Sequence, residues 1–178
     1  MTDHRRVTRV HGDGDFRNTK RHVQIRTNDV PNIIGVDPGG TCGIAMFNVK
    51  GFTSFQLPGR EAGEFISDRA KRLTILSNVI IGCQRFTIVG GSQTQQPQAL
   101  QTIGELTALT NVYRTIVLEL QNSADAVSAG PRDVLVRLGW WRPRLEHAND
   151  AARHVALTML RYFPVMWYEL IHVLESKQ

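Results

Sequence analysis

From Asn32 onward, the apolar run Ile33, Ile34 and Val36 stops at Asp37-Pro38-Gly39-Gly40, the pattern of a buried strand ended by turn residues. Thr41 to Val49 and Phe52 to Leu57 read as two further strands around a Lys50-Gly51 turn, so the ordered part opens as a three-strand antiparallel meander. Arg60 to Leu76 then changes period. Ala62, Phe65, Ile66, Leu73 and Leu76 fall on one side of a 3.6-residue repeat, with Glu64, Asp68 and Lys71 between them, which predicts an amphipathic helix. Val79 to Gln84 is a second buried-strand pattern. Pro97 opens another helix, with Leu100, Ile103, Leu106 and Leu109 along one side, and Thr115 to Leu120 is a fifth strand. A polar, helical connection runs through Leu138 to Gly139-Trp140-Trp141. Asn149 to Phe163 is a helix with Ala152, Val155, Ala156 and Met159 facing inward, and Trp167 to Leu174 extends or follows it.

These elements predict an α/β fold: a mixed five-stranded sheet, three strands as the meander and two parallel, with helices on both faces. A helix separates the meander from Val79–Gln84, so that strand is expected to lie parallel to the first. Asp37 and Gln84 then stand at the carboxyl ends of adjacent strands, the edge where open α/β sheets bind ligands. The helix near the C-terminus can start at the same edge and bring His147 and Asp150 to it.

At 178 residues the chain has room for one ordinary domain, assigned to residues 31 to 178. Residues 1 to 30 carry Arg5, Arg6, Arg9, Arg17, Lys20, Arg21 and Arg26 without apolar periodicity, and read as a mobile basic arm that either closes on a phosphate backbone or is simply solvated. The net charge of +5 favours an anionic partner without identifying it. There is no signal-peptide pattern, and Val155 to Leu174 is interrupted by Arg161, Pro164, Glu169 and His172, so a soluble, cytoplasmic protein with no membrane partner is expected. Cys42 and Cys83 form no CxxC pair. On strands flanking the first, they would lie about 10 Å apart, two interstrand spacings, too far for a disulfide, and they read as small buried hydrophobes.

Asp37 ends a buried strand and is followed by Pro and two glycines, which leaves its carboxylate free to project into a crowded site; the plainer alternative is an Asp that starts a turn. His147 and Asp150, three apart at a helix start, share a face and suit a common metal ion, whereas Asp150 alone would be a helix cap. Arg132, Arg137, Arg142 and Arg144 surround Trp140 and Trp141, a combination suited to phosphate contact beside a stacked base, with one Trp expected in the core. His154, one turn after Asp150, is either support for the site or a surface histidine.

Taken together, the blocks IIGVDPGGTCGIA (33 to 45), IIGCQRFTI (80 to 88), GWW (139 to 141) and HANDAARH (147 to 154) resemble phage-type members of the RuvC Holliday-junction resolvase family, over Asn32 to about Phe163. The resemblance implies a ribonuclease H-like nuclease domain. It also implies a homodimer in the host cytoplasm that acts in DNA recombination and repair and cleaves branched DNA (four-way junctions, flaps or forks) with Mg²⁺ or Mn²⁺ at a two-metal site. By the same resemblance Asp37 and Asp150 match the first and last metal-binding aspartates, and His147 matches a position that is Asp in some members and His in others. Gln84 departs, falling where the family has glutamate. Glutamine keeps the shape and loses the charge, so it is a poorer ligand for a hard divalent cation. The catalytic and metal-binding set is thus Asp37, Gln84, His147 and Asp150, with Arg85, Arg132, Arg137, Arg142 and Arg144 as DNA contacts, although Arg85 could instead orient its neighbours.

Two closely spaced ions need clustered anionic ligands, so with Gln84 in place DNA binding is expected to survive better than cleavage. Because the other ligands are intact, Gln84 reads as an engineered inactivating Glu-to-Gln change rather than a natural residue. A non-catalytic reader of branched DNA is the main rival. A second rival is an ATP-binding protein related to the actin-like kinases, since GVDPGGTCGIAMF also resembles their phosphate loop; the length argues against it, because those proteins enclose nucleotide between two such domains.

Overall fold

The computed structural model describes residues 30–75, 77–86 and 97–175. The basic arm expected over residues 1 to 30 lies outside the described residues, apart from Val30. Five strands form one sheet: β1 (Asn32–Asp37), β2 (Thr41–Asn48), β3 (Gly51–Pro58), β4 (Val79–Gln84) and β5 (Ile116–Gln121), in the order β3-β2-β1-β4-β5. The pairs β1/β2 and β2/β3 are antiparallel, whereas β1/β4 and β4/β5 are parallel, as the meander-then-crossover reading requires. In the β1/β4 register Val36 faces Cys83, which puts Asp37 beside Gln84 at the next step.

Strand alternation sorts the core into two layers. Ile34, Val36, Cys42, Ile44, Ile81 and Cys83 pack against α1 (Gly59–Leu73) and α2 (Pro97–Val112). Ile33, Ala45, Phe47 and Ile80 pack on the other face against α4 (Arg132–Arg137), α5 (Glu146–Tyr162) and α6 (Pro164–Glu175). Helix α3 (Ser123–Ala129) lies against α5. Helices therefore cover both faces, and Asp37, by alternation from Ile33, is on the α5 side. Among the described residues no helix is long and apolar enough to cross a membrane.

Helix α5 approaches the sheet closely because three strands present glycine beneath it. A Cβ at Gly43 would collide with the His147 carbonyl, one at Gly35 with the Ala151 carbonyl, and one at Gly82 with the Thr158 hydroxyl. Without side chains between them, the helix backbone rests on the strand backbones.

Several expectations need correction. The turn between β2 and β3 is Val49-Lys50, and Gly51 already pairs with Asn48 at a φ of +100°, a conformation glycine adopts at little cost. Helix α1 ends at Leu73, and Leu76 lies outside the described residues. On α2 the buried face is Ala99, Thr102, Leu106 and Leu109, while Leu100 is exposed: apolar residues are spread around this helix, so the pattern does not define one face. The connection to Leu138 is two short helices, and α5 begins at Glu146, three residues before the Asn149 boundary.

Candidate active site

The site forms where β1 and β4 end and α5 begins. The first turn of α5 is anchored to the sheet by a side chain that pattern reading did not single out. Gln56, from β3, accepts from the backbone N–H of His147 at 3.0 Å and of Ala148 at 3.4 Å, capping a helix whose own N-cap residue, Leu145, provides no side-chain acceptor. Asp150 lies inside the helix and is not its cap. Asn149, almost fully buried, accepts from the Arg142 N–H at 2.7 Å and donates to the Arg142 carbonyl at 2.9 Å, fastening the Trp140–Arg142 loop to the helix.

On this frame the His147 ring and Asp37 share a hydrogen bond, Nδ1 to Oδ2 at 2.7 Å. With Asp37 ionised, Nδ1–H is the donor, and Nε2 is the ring nitrogen that Asp37 does not engage. Burial pushes the Asp37 carboxyl above its ordinary range; the His147 hydrogen bond opposes the shift, and the nearby negative charge of Asp150 adds to it. Asp150 forms an ion pair with Arg153, three residues further along α5. Gln84 is half-buried on β4 beside Asp37.

The structure thus joins Asp37 to His147 directly and to Asp150 electrostatically. Among the described residues no three His, Cys, Asp or Glu side chains converge as a metal-binding group. A pair of hard divalent ions needs several clustered anions. This edge offers two carboxylates, one of them paired with an arginine, together with an imidazole and a neutral amide. The residues present do not fit a two-ion centre.

Of the adjacent pair Trp140 and Trp141, Trp140 is the one in the core, stacked on Phe52 with ring centroids 4.2 Å apart and packed against Phe47 and the equally buried Trp167. Trp141 is half-buried, with the guanidinium groups of Arg132 and Arg153 at 5.1 and 5.6 Å from its ring. Of the other arginines, Arg137 pairs with Asp133 at 3.7 Å, Arg142 is held through its backbone, and Arg144 is exposed in a left-handed conformation. Arg85 is exposed just beyond β4, its backbone N–H donating to the Gln121 carbonyl at 2.7 Å.

His154 is not a surface residue. It is 1% exposed and bonds through Nδ1 to Gln121 Oε1 at 2.8 Å, while the Gln121 amide donates to Thr158 at 2.8 Å and to Glu119 at 3.2 Å. Burial, and then the positive charge of Arg153, lower the His154 pKa to about 4, so the ring is neutral near pH 7. Sequence spacing placed His154 one turn from Asp150, but nothing local marked Gln121 as its partner. Cys42 and Cys83 are free, buried thiols on β2 and β4, flanking β1; burial pushes Cys42 up to about 12 and Cys83 well above the usual thiol range.

No protein-family model matches the chain, and no curated protein matches it. Among solved structures, Thermus thermophilus RuvC in complex with a Holliday junction substrate aligns over 76% of this chain and 96% of its own, at 17% identity and a TM-score of 0.51. A second Thermus thermophilus RuvC structure aligns over 75% and 96%, at 16% identity and a TM-score of 0.47. At such identity the likeness is one of architecture: the chain has the ribonuclease H-like fold seen in RuvC, a mixed five-stranded sheet between two helical layers.

Proposed function

We propose that this chain is a structure-specific DNA-binding protein of the RuvC type, built as a metal-dependent endonuclease for four-way junctions, flaps or forks and impaired in cleavage by Gln84. The observation that supports this reading most is the Asp37–His147 contact at the end of β1, with Asp150 on the same helix and Gln84 on the next strand. Asp37 in contact with His147, and Asp150 one turn further along α5, share one sheet edge and would need a third carboxylate there to suit Mg²⁺ or Mn²⁺. In this reading Asp37, His147 and Asp150, with a carboxylate at position 84, would hold the divalent cations, which would supply polarisation of the scissile phosphate and activation of water. Asp37 and Asp150 hold negative charge toward them, and His147, engaged by Asp37 at Nδ1, presents Nε2 as a ligand or proton acceptor. Arg85, Arg132, Arg137, Arg142 and Arg144 would contact DNA phosphates, with Trp141 as a stacking surface, in a homodimer of the phage-type branch.

The test compares four-way-junction cleavage in Mg²⁺ or Mn²⁺ by this chain and by Gln84→Glu. The chain itself should cleave poorly or not at all, and the glutamate variant should cleave with little change in stability. If Gln84→Glu stays inactive on junctions, flaps and forks, the nuclease reading fails. A non-catalytic reader of branched DNA is then favoured, and the ion pair that occupies Asp150 supports that alternative. In either reading, affinity for branched DNA exceeds that for linear duplex and falls steeply with salt. Equal affinity for both DNAs, or a flat salt profile, would count against both readings.

A further inference from the structure

A cavity of about 300 Å³ opens where the Trp140–Arg142 loop meets the first two turns of α5, lined by Trp141, Glu146, Asn149, Asp150 and Arg153. Its size is at the lower end for small-molecule pockets, enough for one planar ring system and too little for a base pair. One wall is the half-buried Trp141 indole, an aromatic face of the kind on which unpaired bases stack. The polar groups around it are unequally free. Asp150 is paired with Arg153, and the Asn149 amide spends both its oxygen and its nitrogen on the Arg142 backbone. Glu146 is exposed, and among the described residues its carboxylate makes no hydrogen bond or ion pair. It stands two residues after Arg144 and shares the cavity with Arg153. A bare carboxylate repels phosphate, so it is out of place on a surface that holds only the DNA backbone.

We infer that this cavity is a guanine-selective subsite of the DNA-binding surface: an unpaired guanine stacks on Trp141 and presents its N1–H and 2-amino group to the two oxygens of Glu146. The inference rests on the reading of the chain as a binder of branched DNA, where a base at the branch leaves the stack at low cost. An ionised carboxylate accepts hydrogen bonds and donates none, so it suits a base edge with two adjacent donors. Guanine alone among the four DNA bases has that edge. Adenine and cytosine set one amino donor beside a ring-nitrogen lone pair, and thymine sets its single N–H between two carbonyl oxygens, so each turns an acceptor toward Glu146. Stacking is tolerant of sequence because every base has a π face, and discrimination therefore falls to Glu146. Arg153, paired with Asp150, leaves Glu146 as the unpartnered acceptor of the cavity.

The experiment uses the full chain and labelled four-way junctions that differ only in one unpaired nucleotide at the branch point, carrying guanine, adenine, cytosine, thymine or hypoxanthine, which is guanine without the 2-amino group. Fluorescence anisotropy at one salt concentration gives each Kd. The guanine junction should bind about tenfold more tightly than the other four, the scale of one good two-bond base contact. Glu146→Gln, whose amide accepts one of the two bonds and meets the other donor with an N–H, should bring guanine level with hypoxanthine. Trp141→Leu should weaken all five complexes, because it removes the stacking face. Equal affinity for guanine and hypoxanthine in the unsubstituted chain, a guanine preference that survives Glu146→Gln, or unaltered binding by Trp141→Leu overturns the subsite and leaves the branched-DNA reading standing. Failure to bind any of the junctions overturns both. Thermal melts of each variant verify that the chains compared are folded.

Discussion

Helix α5 carries two polar clusters about one turn apart. The upper one, at the sheet edge, holds Asp37, His147, Asp150 and Arg153; the lower one, in the interior, holds His154, Gln121, Thr158 and Glu119. In the lower cluster the bonds close on one another. Gln121 spends its amide on Thr158 and Glu119 and its carbonyl on His154, Thr158 returns a bond to the His154 carbonyl at 2.9 Å, and Arg161 ties Glu119 to Asp125. The upper cluster stays open: His147 is half-exposed, Asp37 holds a raised pKa, and Arg153 keeps an orphaned donor. Closed polar networks fix a structure, whereas open ones retain donors and charge for a ligand.

The sharpest way to break this contrast is at Asp37. Added to Gln84→Glu, Asp37→Asn should abolish metal-dependent cleavage while junction binding, followed by gel shift, remains measurable; cleavage at the parental rate would remove Asp37 from the mechanism. The lower cluster should answer in stability instead. Gln121→Leu strands the partners of a fully buried amide and should cost about 4 kcal/mol in urea unfolding, at roughly 1–3 kcal/mol per orphaned group.

Acid should find the same weakness. His154 binds its proton near pH 4 in the fold and near 6.5 when unfolded, so the unfolded chain takes up the proton first as pH falls. Stability contributed by the neutral ring is complete above about pH 6.5 and is lost progressively toward pH 4, about 3 kcal/mol in all by linkage. The stability profile of His154→Gln should lack that slope, and matching profiles would show that His154 does not set it. Smallest of these effects, Gln56→Ala uncaps α5 and should cost about 1 kcal/mol, seen as a lowered melting temperature.

The two clusters were not equally legible in the sequence. Asp37 could be placed because it ends an apolar run in front of Pro-Gly-Gly, and the parallel pairing of β1 with β4 followed from the intervening helix. His147 and Asp150 were legible as neighbours because helical spacing is local. Gln121 with His154 was not, since nothing along the chain says that a strand-end amide will meet an imidazole 33 residues away. Gln56 escaped for the same reason: its bond to His147 spans 91 residues and depends on the meander bringing β3 under the helix start. The Asp150–Arg153 pair, by contrast, lies within reach of i,i+3 spacing along one helix. On α2 the misjudged face reflects a helix with apolar side chains around its circumference, where only packing decides which side is buried.

The glycines under α5 carry one further consequence. Helix height above the sheet is set there by atoms that are missing, so the interval between Asp37 on the sheet and the His147–Asp150 pair on the helix behaves as a mechanical setting. A single methyl at Gly43 would act as a shim under the first turn, tilting His147 off Asp37 while leaving the far end seated; one at Gly82 would lift the opposite end and pivot the helix about the first. The site's geometry is therefore adjustable from positions that touch no substrate, one carbon at a time.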